Sequence, residues 1–359
     1  MIFKGADAPL IGVPIEMDRC NTFFLFQFST WLHPRAVQPL SPEEIRRAVQ
    51  LALHEDIGSG DVTTLATVPE SAVSVAVMRA RDSFVVAGLA FAETAFRELA
   101  CPDVAQAFQP AGSGGFPAAI HPPHETGMSR EPADRNVCAK PIQIEVLVSD
   151  GQRVNGGDTL LKISGASRAI LTAERVALNF VQRLSGIATL TAQFVDAVKD
   201  TPTQILDTRK TTPGWRRFEK YAVACGGGRN HRIGLYDQVL IKDNHLAALR
   251  EEKPNAIAAA VARAREKFPQ LKVEVEADTL EQVEQAADAG ADIILLDNMN
   301  LVQLRLAVQK VRGRAQTEAS GGVNLASVRA IAETGVDFIS VGALTHSARA
   351  VDIGLDFEE

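Results

Sequence analysis

Cationic side chains are concentrated in one short segment of an acidic chain. The segment CGGGRNHRIGLYDQVLIKDNH, residues 225–245, contains Arg229, His231, Arg232 and Lys242. The whole chain of 359 residues has a formal net charge of −7. Nucleic-acid binding requires a broad basic face, which a chain of this charge does not favour. The segment therefore predicts a pocket for a small anion, and no nucleic acid is expected as a partner.

Further functional groups follow the predicted strands in the second half of the chain. Five short apolar runs each contain or precede such a group: QILDT, QVLIKD, KVEVEA, IILLDN and FISVG. In chain order the residues are Thr208, Arg209, Lys210, Lys242, Glu274, Glu276, Asp297 and His346. Because the carboxyl ends of the strands of an α/β barrel converge on one mouth, this repetition predicts an active site there.

Each of these residues also has an ordinary explanation when it is taken alone. Arg209 and Lys210 suit a solvated loop, Asp297 suits the N-cap of the next helix, and an isolated histidine is more often structural. Glu274 and Glu276 share one face of their strand, which fits the solvent side of an edge strand. The pattern at five successive strands favours the functional interpretation over five coincidences.

Two turns of small residues come late in the chain. EASGGVN, residues 318–324, precedes LASVRAIAETG, which predicts a helix, and VGALTH, residues 341–346, follows a predicted strand. Paired turns at this point of a barrel commonly hold a phosphate through backbone N–H groups. The alternative is a tight turn in which glycine adopts a positive φ. The residues concerned are Ser320, Gly321, Gly322, Gly342, Ala343 and Leu344.

The functional groups form two chemical sets. Glu276 and Asp297 supply carboxylates suited to Mg²⁺ or to sugar hydroxyls. The cationic set, in which arginine forks match carboxylates and lysine acts as a point charge, is Arg175, Arg209, Lys210, His231, Arg232 and Lys242. Together the two sets predict one substrate with several phosphates and a second, highly anionic substrate.

The predicted elements divide the chain into two parts. In the second half, strands alternate with helical segments, which predicts parallel strands in an α/β barrel or a doubly wound sheet. In the first half, SPEEIRRAVQLALHEDIG predicts a helix with a capping box, and VSVAVMRARDSFVVAG predicts two strands joined by a turn. IQIEVLVSDGQRVNGGDTLLKISG has hairpin turns like those of biotinyl or lipoyl carriers, but no lysine at a tip. It favours a supporting domain rich in strands.

The length and composition of the chain predict its domains and its cellular location. A chain of this length predicts about two domains. We expect an irregular extension over residues 1–38, an α/β domain over 39–185, and a catalytic barrel over 186–345. Residues 110–140, rich in Pro, Gly and Ala, predict a flexible insertion, and residues 346–359 are expected to pack on the first domain. The cysteines lack metal-ligand spacing, and FFLFQF is too short to span a bilayer, so we expect a cytoplasmic protein without a membrane partner.

The motifs taken together resemble the quinolinate phosphoribosyltransferase family. The resemblance covers about residues 40–356, and its most specific segments are LTAERVALNFVQRLSGIAT, LDTRKTTPGWR and GGGRNHRIGLYDQVLIKDNH. It implies an N-terminal α/β sandwich domain and an open, incomplete α/β barrel. It also implies phosphoribosyl transfer from 5-phosphoribosyl 1-pyrophosphate to quinolinate, with loss of CO₂ and a requirement for Mg²⁺. Members act as homodimers with shared active sites, or as assemblies of dimers.

The resemblance also implies a role for each site residue. Arg175 of a neighbouring subunit, with Arg209, His231 and Arg232, would hold quinolinate. Lys210 and Lys242 would lie between the two substrates as catalytic residues. Glu276 and Asp297, also catalytic, would contact the ribose hydroxyls and the metal, directly or through water. The remaining substrate-binding residues are Thr208, Ser320, Gly321, Gly322, Gly342, Ala343, Leu344 and His346, of which residues 320–322 and 342–344 would hold the 5-phosphate.

Three alternatives stay open at this point. A phosphoribosyltransferase for nicotinate would need fewer cationic donors than the six present. A related enzyme of a metal-cofactor pathway would not require the full set of Arg and His matches. A non-catalytic carrier or anion-binding module, suggested by the hairpins near residues 151–157, would bind quinolinate without forming pyrophosphate.

Overall fold

The computed structural model describes residues 39–99 and 141–358. The predicted extension over residues 1–38 and the predicted insertion over residues 110–140 lie outside these ranges. The first described part contains α1 (Pro42–Ile57), α2 (Val62–Thr67), β1 (Val73–Ala80), β2 (Phe84–Val85), α3 (Leu89–Glu98), β3 (Gln143–Val146), β4 (Arg153–Val154) and β5 (Thr159–Ala166).

The second part carries most of the helices. It contains α4 (Ser167–Ala197), β6 (Gln204–Leu206), α5 (Arg216–Cys225), β7 (Val239–Ile241), α6 (Asp243–Ala247), α7 (Ala256–Lys267), β8 (Val273–Ala277), α8 (Leu280–Asp288), β9 (Ile293–Asp297), α9 (Leu301–Val311), β10 (Gln316–Ser320), α10 (Val328–Ala332), β11 (Phe338–Ser340), α11 (Ala343–His346) and β12 (Ile353–Glu358).

Helix α1 begins at the predicted capping box. The Ser41 hydroxyl accepts from the Glu44 backbone N–H at 3.1 Å, and the Glu44 carboxylate accepts from the Ser41 N–H at 2.8 Å. Arg217 of α5 contacts the same carboxylate at 3.0 Å and is the main reason that the pKa of Glu44 falls to about 2. The apolar face of α1 buries Ile45, Val49 and Leu53.

An antiparallel sheet of four strands forms the supporting part, in the order β12-β1-β5-β3. The last strand of the chain pairs with β1, with Val77 opposite Asp356. The short strand β4 pairs instead with β2, and the Asp150 side chain accepts from the backbone N–H groups of Gly88 and Leu89 where α3 begins. The turn at Asp150 therefore fixes the start of α3, which is a structural role of the kind expected in a supporting domain.

Helix α4 joins the two parts of the fold. It runs without interruption through 31 residues, across the 185/186 boundary expected from the sequence. Its Phe180 ring stacks on Phe91 of α3 at 4.7 Å and on Trp215 at 5.0 Å between ring centroids. One helix thus packs against both the supporting helices and the catalytic part.

The catalytic part is an open barrel, which confirms the predicted fold class. Six parallel strands lie in the order β6-β11-β10-β9-β8-β7. From β7 to β11 the strands are neighbours in chain order, and β6 pairs with β11. A closed barrel would also pair β6 with β7, and within the described residues only this pairing is missing. A doubly wound sheet would instead reverse its strand order at a switch point.

The barrel interior is unusually polar. Along β8, Val273, Val275 and Ala277 are buried on one face, while Glu274 and Glu276 alternate with them on the other. Barrel interiors are normally filled by layers of branched apolar side chains. The buried carboxylates therefore make the interior of the barrel the candidate location of the active site.

No helix within residues 39–99 and 141–358 is long and apolar enough to cross a membrane.

Candidate active site

Arg209 and Arg232 lie close together without a carboxylate partner in the described part of the chain. Arg209 follows β6, and the Nε atom of its half-buried side chain is buried without a hydrogen-bond partner there. Arg232 donates from Nη1 to the backbone carbonyl of Gln238 at 3.2 Å. Burial and then the nearby charge of Arg209 lower the pKa of Arg232. Two guanidinium groups held together in this way favour an anion between them.

Both ring nitrogens of His231, the residue before Arg232, contact groups of the protein. Nε2 is 3.0 Å from a Glu274 carboxylate oxygen and 3.6 Å from one of Glu318, while Nδ1 accepts from the Arg232 N–H at 2.8 Å. The glutamates outweigh the effect of burial and raise the pKa of His231 to about 9. A proton on Nδ1 would break the bond from Arg232, which opposes that rise.

The environment of His231 bears on its predicted contact with quinolinate and on metal binding. In the observed conformation neither nitrogen is available to a carboxylate of a ligand, so a direct contact would require the ring to turn. The atoms His231 Nε2, Glu274 O and Glu318 O lie within 4.8 Å of one another. However, a metal on Nε2 would require the ring proton to lie on Nδ1, where the Arg232 N–H already donates, so the observed hydrogen bond opposes metal binding here.

Glu274 and Glu318 are buried carboxyls that the strand pattern brings together from β8 and β10. Burial first, and then the charge of Glu274, raises the pKa of Glu318 to about 8. Within the described residues neither oxygen of Glu318 has a hydrogen-bond partner, whereas Glu274 accepts from Gln238 at 2.5 Å. Glu274 does not lie on the solvent side of an edge strand: β7 is the edge, and the side chain is fully buried.

A second buried pair, Asp207 and Lys220, lies between β6 and α5. Both side chains have no exposed surface, and Lys220 Nζ is 2.5 Å from Asp207 Oδ1. Desolvation raises the pKa of Asp207 and lowers that of Lys220, while their mutual attraction opposes both shifts. Lys220 had no place in the sequence prediction, because the amphipathic pattern of α5 gives no sign that a lysine faces inward.

Lys242 and Glu276 form an ion pair at the barrel mouth. The Lys242 ammonium is 2.5 Å from the Glu276 carboxylate, and Lys242 is the more exposed of the two side chains. Lys242 precedes α6, whose His245 accepts from the Lys242 N–H at 2.9 Å. The His245 side chain therefore caps this short helix.

Asp297 ends β9 beside Glu276. The helix that follows is capped by Asn300, whose Oδ1 accepts from the N–H groups of Val302 and Gln303, so Asp297 is not the N-cap. Asp297 is partly exposed and accepts from Asn298 Nδ2 at 2.6 Å. Two carboxylates at neighbouring strand ends fit the oxygen ligands that Mg²⁺ takes from proteins.

The first small-residue turn is built differently from the sequence prediction. Gly321 and Gly322 have φ of +97° and +61°, as a tight turn of glycines requires, and the contact of residues 320–322 with a phosphate stays a prediction. The helix expected from Leu325 begins only at Val328 and has five residues. A side chain at Gly321 would press on Asn298, 3.0 Å from its backbone nitrogen. Ser320 and this turn therefore lie against the segment that carries Asp297.

The second turn brings Gly342, Lys210 and His346 together. A Cβ on Gly342 would lie 3.0 Å from Lys210 Cδ and 3.2 Å from His346 Nε2. The Thr345 hydroxyl donates to the Lys210 carbonyl at 2.7 Å, and the Thr208 hydroxyl accepts from the Lys210 N–H at 3.0 Å. Ala343 is partly buried, and Leu344 is fully buried with its N–H donating to the Val341 carbonyl at 3.4 Å, so Gly342 and Ala343 are the accessible residues of this turn.

Two other cations lie outside this cluster. Arg175 is exposed on α4, and no hydrogen bond or ion pair joins it to the barrel mouth in the described ranges. Arg229 contributes its backbone, which donates to the Ile205 carbonyl at 2.8 Å and extends the sheet beside β6.

A separate cleft of about 570 Å³ lies at the amino ends of β9, β10 and β11. Its carboxylates are already bonded: Asp292 to Arg265 at 2.8 Å, and Asp337 to the Thr317 hydroxyl at 2.9 Å. The chemistry belongs to the opposite end of the strands.

Two family models match adjoining parts of the chain: quinolinate phosphoribosyl transferase, N-terminal domain, over residues 131–185, and its C-terminal domain over residues 187–356. The nicotinate-nucleotide pyrophosphorylase [carboxylating] of Mycobacterium leprae is 41% identical over 315 residues, which cover 87% of this chain and 96% of that protein. The chain belongs to the quinolinate phosphoribosyltransferase family. The predicted resemblance is confirmed.

Two further relatives agree with this family. A chloroplastic nicotinate-nucleotide pyrophosphorylase [carboxylating] of Arabidopsis thaliana is 38% identical over 331 residues, 88% of this chain and 83% of that protein. The solved nicotinate-nucleotide pyrophosphorylase of Francisella tularensis superposes with a TM-score of 0.74 at 36% identity, covering 91% of this chain and all of that one. Family membership therefore extends over both parts of the fold.

Proposed function

We propose that this protein is a carboxylating nicotinate-nucleotide pyrophosphorylase of NAD biosynthesis. It transfers the phosphoribosyl group of 5-phosphoribosyl 1-pyrophosphate to quinolinate, and forms nicotinate mononucleotide, pyrophosphate and CO₂. The observation that carries the proposal is the pair of arginines, Arg209 and Arg232, that form no ion pair with any described residue. They lie at a barrel mouth that also holds Lys210, Lys242 and Glu276. A dicarboxylate satisfies the two guanidinium groups, each through a bidentate contact.

The cationic pocket orients quinolinate for attack by its ring nitrogen. The nitrogen has a free lone pair, so no general base is required. As the bond from the anomeric carbon to pyrophosphate breaks, positive charge develops on the ribose and negative charge on the leaving group. Glu276 stabilises the positive charge on the ribose, and Lys210 and Lys242 stabilise the negative charge on the pyrophosphate.

Decarboxylation follows from the alkylation of the nitrogen. The pyridinium ring accepts the electron pair of the breaking C2–carboxylate bond, CO₂ leaves, and a proton from solvent replaces it at C2. The protein contributes position and releases one carboxylate from its arginine. Arg209 and Arg232 lie close enough for one to keep the second carboxylate during this step.

We assign the Mg²⁺ site to Glu276 and Asp297, which address the ribose hydroxyls and the metal. When it is bound, Mg²⁺ neutralises charge on the pyrophosphate. Residues 320–322 and 342–344, with His346, surround the space proposed for the 5-phosphate. Thr208 fixes the start of the Lys210 loop.

We further propose that the enzyme is a homodimer, or an assembly of dimers, with shared sites. The support is the exposure of Arg175 on α4, away from the cations of its own barrel mouth.

The decisive experiment measures pyrophosphate and CO₂ from the purified protein with 5-phosphoribosyl 1-pyrophosphate and Mg²⁺. Quinolinate is expected to yield both products in equal amounts, and removal of Mg²⁺ by a chelator should stop the reaction. Turnover of nicotinate without quinolinate turnover would replace this proposal with a nicotinate enzyme. Quinolinate binding without pyrophosphate would indicate a non-catalytic binding module.

A further inference from the structure

The buried pair Asp207 and Lys220 is not explained by stability. A buried ion pair loses the hydration of both charges, and an apolar pair of similar size is often equally stable or more stable. Both side chains are completely buried.

The pair fastens the backbone of the turn that carries His231. The His231 N–H donates to Asp207 Oδ1 at 2.8 Å, and Lys220 Nζ donates to the His231 carbonyl at 3.0 Å. Asn230 Nδ2 donates to Asp207 Oδ2 at 2.8 Å and to the Lys220 carbonyl at 2.9 Å. The backbone donor and acceptor of His231 are thus both bound to this ion pair.

Asp207 also connects this turn to the end of β6. Its own N–H donates to the Arg229 carbonyl at 3.1 Å. Arg209 lies two residues after Asp207, and Arg232 lies one residue after His231. One carboxylate therefore links the two backbone segments from which the guanidinium groups extend. Backbone bonds join the two segments only as far as Arg229, so the carboxylate is what fixes the turn between Arg229 and Arg232.

We propose that Asp207 and Lys220 are positioning residues that hold Arg209 and Arg232 at the spacing required by a dicarboxylate. They set the affinity for quinolinate and leave that for 5-phosphoribosyl 1-pyrophosphate nearly unchanged. The inference rests on the proposed function, since it concerns the same pocket.

The test removes both charges together. Lys220→Met alone leaves an unpaired carboxylate in the interior, which destabilises the fold. The double variant Lys220→Met, Asp207→Asn keeps an amide oxygen to accept from the His231 N–H, which protects the fold. It removes the bond from Lys220 to the His231 carbonyl and places an amide NH₂ group opposite the Asn230 NH₂ group, so the turn is held less firmly. Because a displacement of about 1 Å can cost about 100-fold in rate, we expect the KM for quinolinate to rise about tenfold or more. The KM for 5-phosphoribosyl 1-pyrophosphate should change by less than about threefold.

Thr203→Val is the matched control. Thr203 precedes the other end of β6, where its buried hydroxyl donates to the Val336 carbonyl at 2.7 Å. Its loss should lower the unfolding temperature and leave both KM values unchanged. The double variant and the control are compared at equal folded fraction, measured by circular dichroism.

Titration of quinolinate alone by calorimetry separates this inference from the proposed function. Weaker quinolinate binding in the double variant, with wild-type binding in Thr203→Val, supports the positioning role even if the wild type forms no pyrophosphate. Equal increases in both KM values, or unchanged quinolinate affinity in a folded double variant, would overturn it.

Discussion

Arg209 and Arg232 form no ion pair with a carboxylate of the described residues, although the charges of Glu274 and Asp237 act on Arg232 at longer range. By contrast, Lys220 is paired with Asp207, Lys242 with Glu276, and His231 faces Glu274. A dianionic ligand would supply the two guanidinium groups with their missing ion pairs. At the residue scale, these two side chains are therefore the part of the candidate site that points most directly to an anion.

Replacement of Arg232 by alanine tests the carboxylate contact. Arg232→Ala should raise the KM for quinolinate by more than that for the phosphoribosyl donor, since a charge-assisted hydrogen bond contributes about 1.5–3 kcal/mol. Steady-state kinetics with each substrate varied in turn is the measurement. Arg263→Ala, which breaks a surface pair with Glu252, should leave both values unchanged. An equal rise for both substrates would contradict the placement.

The buried carboxyl group of Glu318 also predicts how stability depends on pH. Burial raises its pKa from 4.5 to about 8. Between these values the folded state binds more protons than the unfolded state, so the free energy of unfolding should fall as pH rises from about 4.5 to 8.

Glu318→Gln should make this decline shallower, because it removes one titrating group and one anionic neighbour of His231. Urea unfolding at several pH values between about 4.5 and 8 measures the slope. Glu284→Gln is the control, since the pKa of exposed Glu284 is lowered by Lys310 and Arg314 and it titrates below this interval. A Glu318→Gln protein with the slope of the wild type would contradict the prediction.

At the scale of elements, the glycines of the CGGG sequence allow α5 and the cationic turn to pack directly on α4. A Cβ on Gly228 would lie 2.6 Å from Thr191 Cγ2 and 2.8 Å from Val223 Cγ1. Gly227 has a φ of +84° and reverses the chain after α5. These glycines are required by close packing and by the reversal, not by contact with a ligand.

Gly228→Ala should destabilise the protein by about 1–3 kcal/mol, the usual cost of overpacking a core. Thr191→Ser in the same chain should recover part of this loss, because it removes Cγ2 and keeps the hydroxyl that donates to the Ile187 carbonyl. Denaturant unfolding of the two single variants and the double variant gives the coupling energy. Strictly additive losses would show that the two groups do not clash.

At the scale of the whole molecule, the chain returns from the barrel to its first sheet through β12. The open barrel has its mouth at the carboxyl ends of parallel strands, while the proposed partner for that mouth, Arg175, is exposed on α4. A second copy of the chain would supply this arginine. The proposed site would therefore be complete only in an assembly of at least two subunits.

Mixed dimers test this shared site. Arg175→Ala chains and Lys242→Ala chains should each have low activity alone, and their heterodimers should recover part of it, because one of the two sites would then lack neither side chain. Differently tagged chains allow the heterodimer to be purified and its pyrophosphate formation measured. Absence of recovery in verified heterodimers would refute the shared site.

The sequence by itself determined the inventory of charged groups, the capping box of α1 and the strand ends that carry Lys242, Glu276 and Asp297. These features depend on local spacing and on chain order. The family motifs added the open barrel, which periodicity alone left undistinguished from a doubly wound sheet.

Only the tertiary structure decided which charges are buried and which are paired. Lys220 and Asp207 meet because α5 packs beneath the end of β6, and Glu318 meets Glu274 because two strands turn the same face inward. His231 is oriented by glutamates far along the chain, and its ring nitrogens are both engaged. These outcomes depend on contacts between distant segments, since the free energy of a buried charge is determined by its neighbours in space and not by those in sequence.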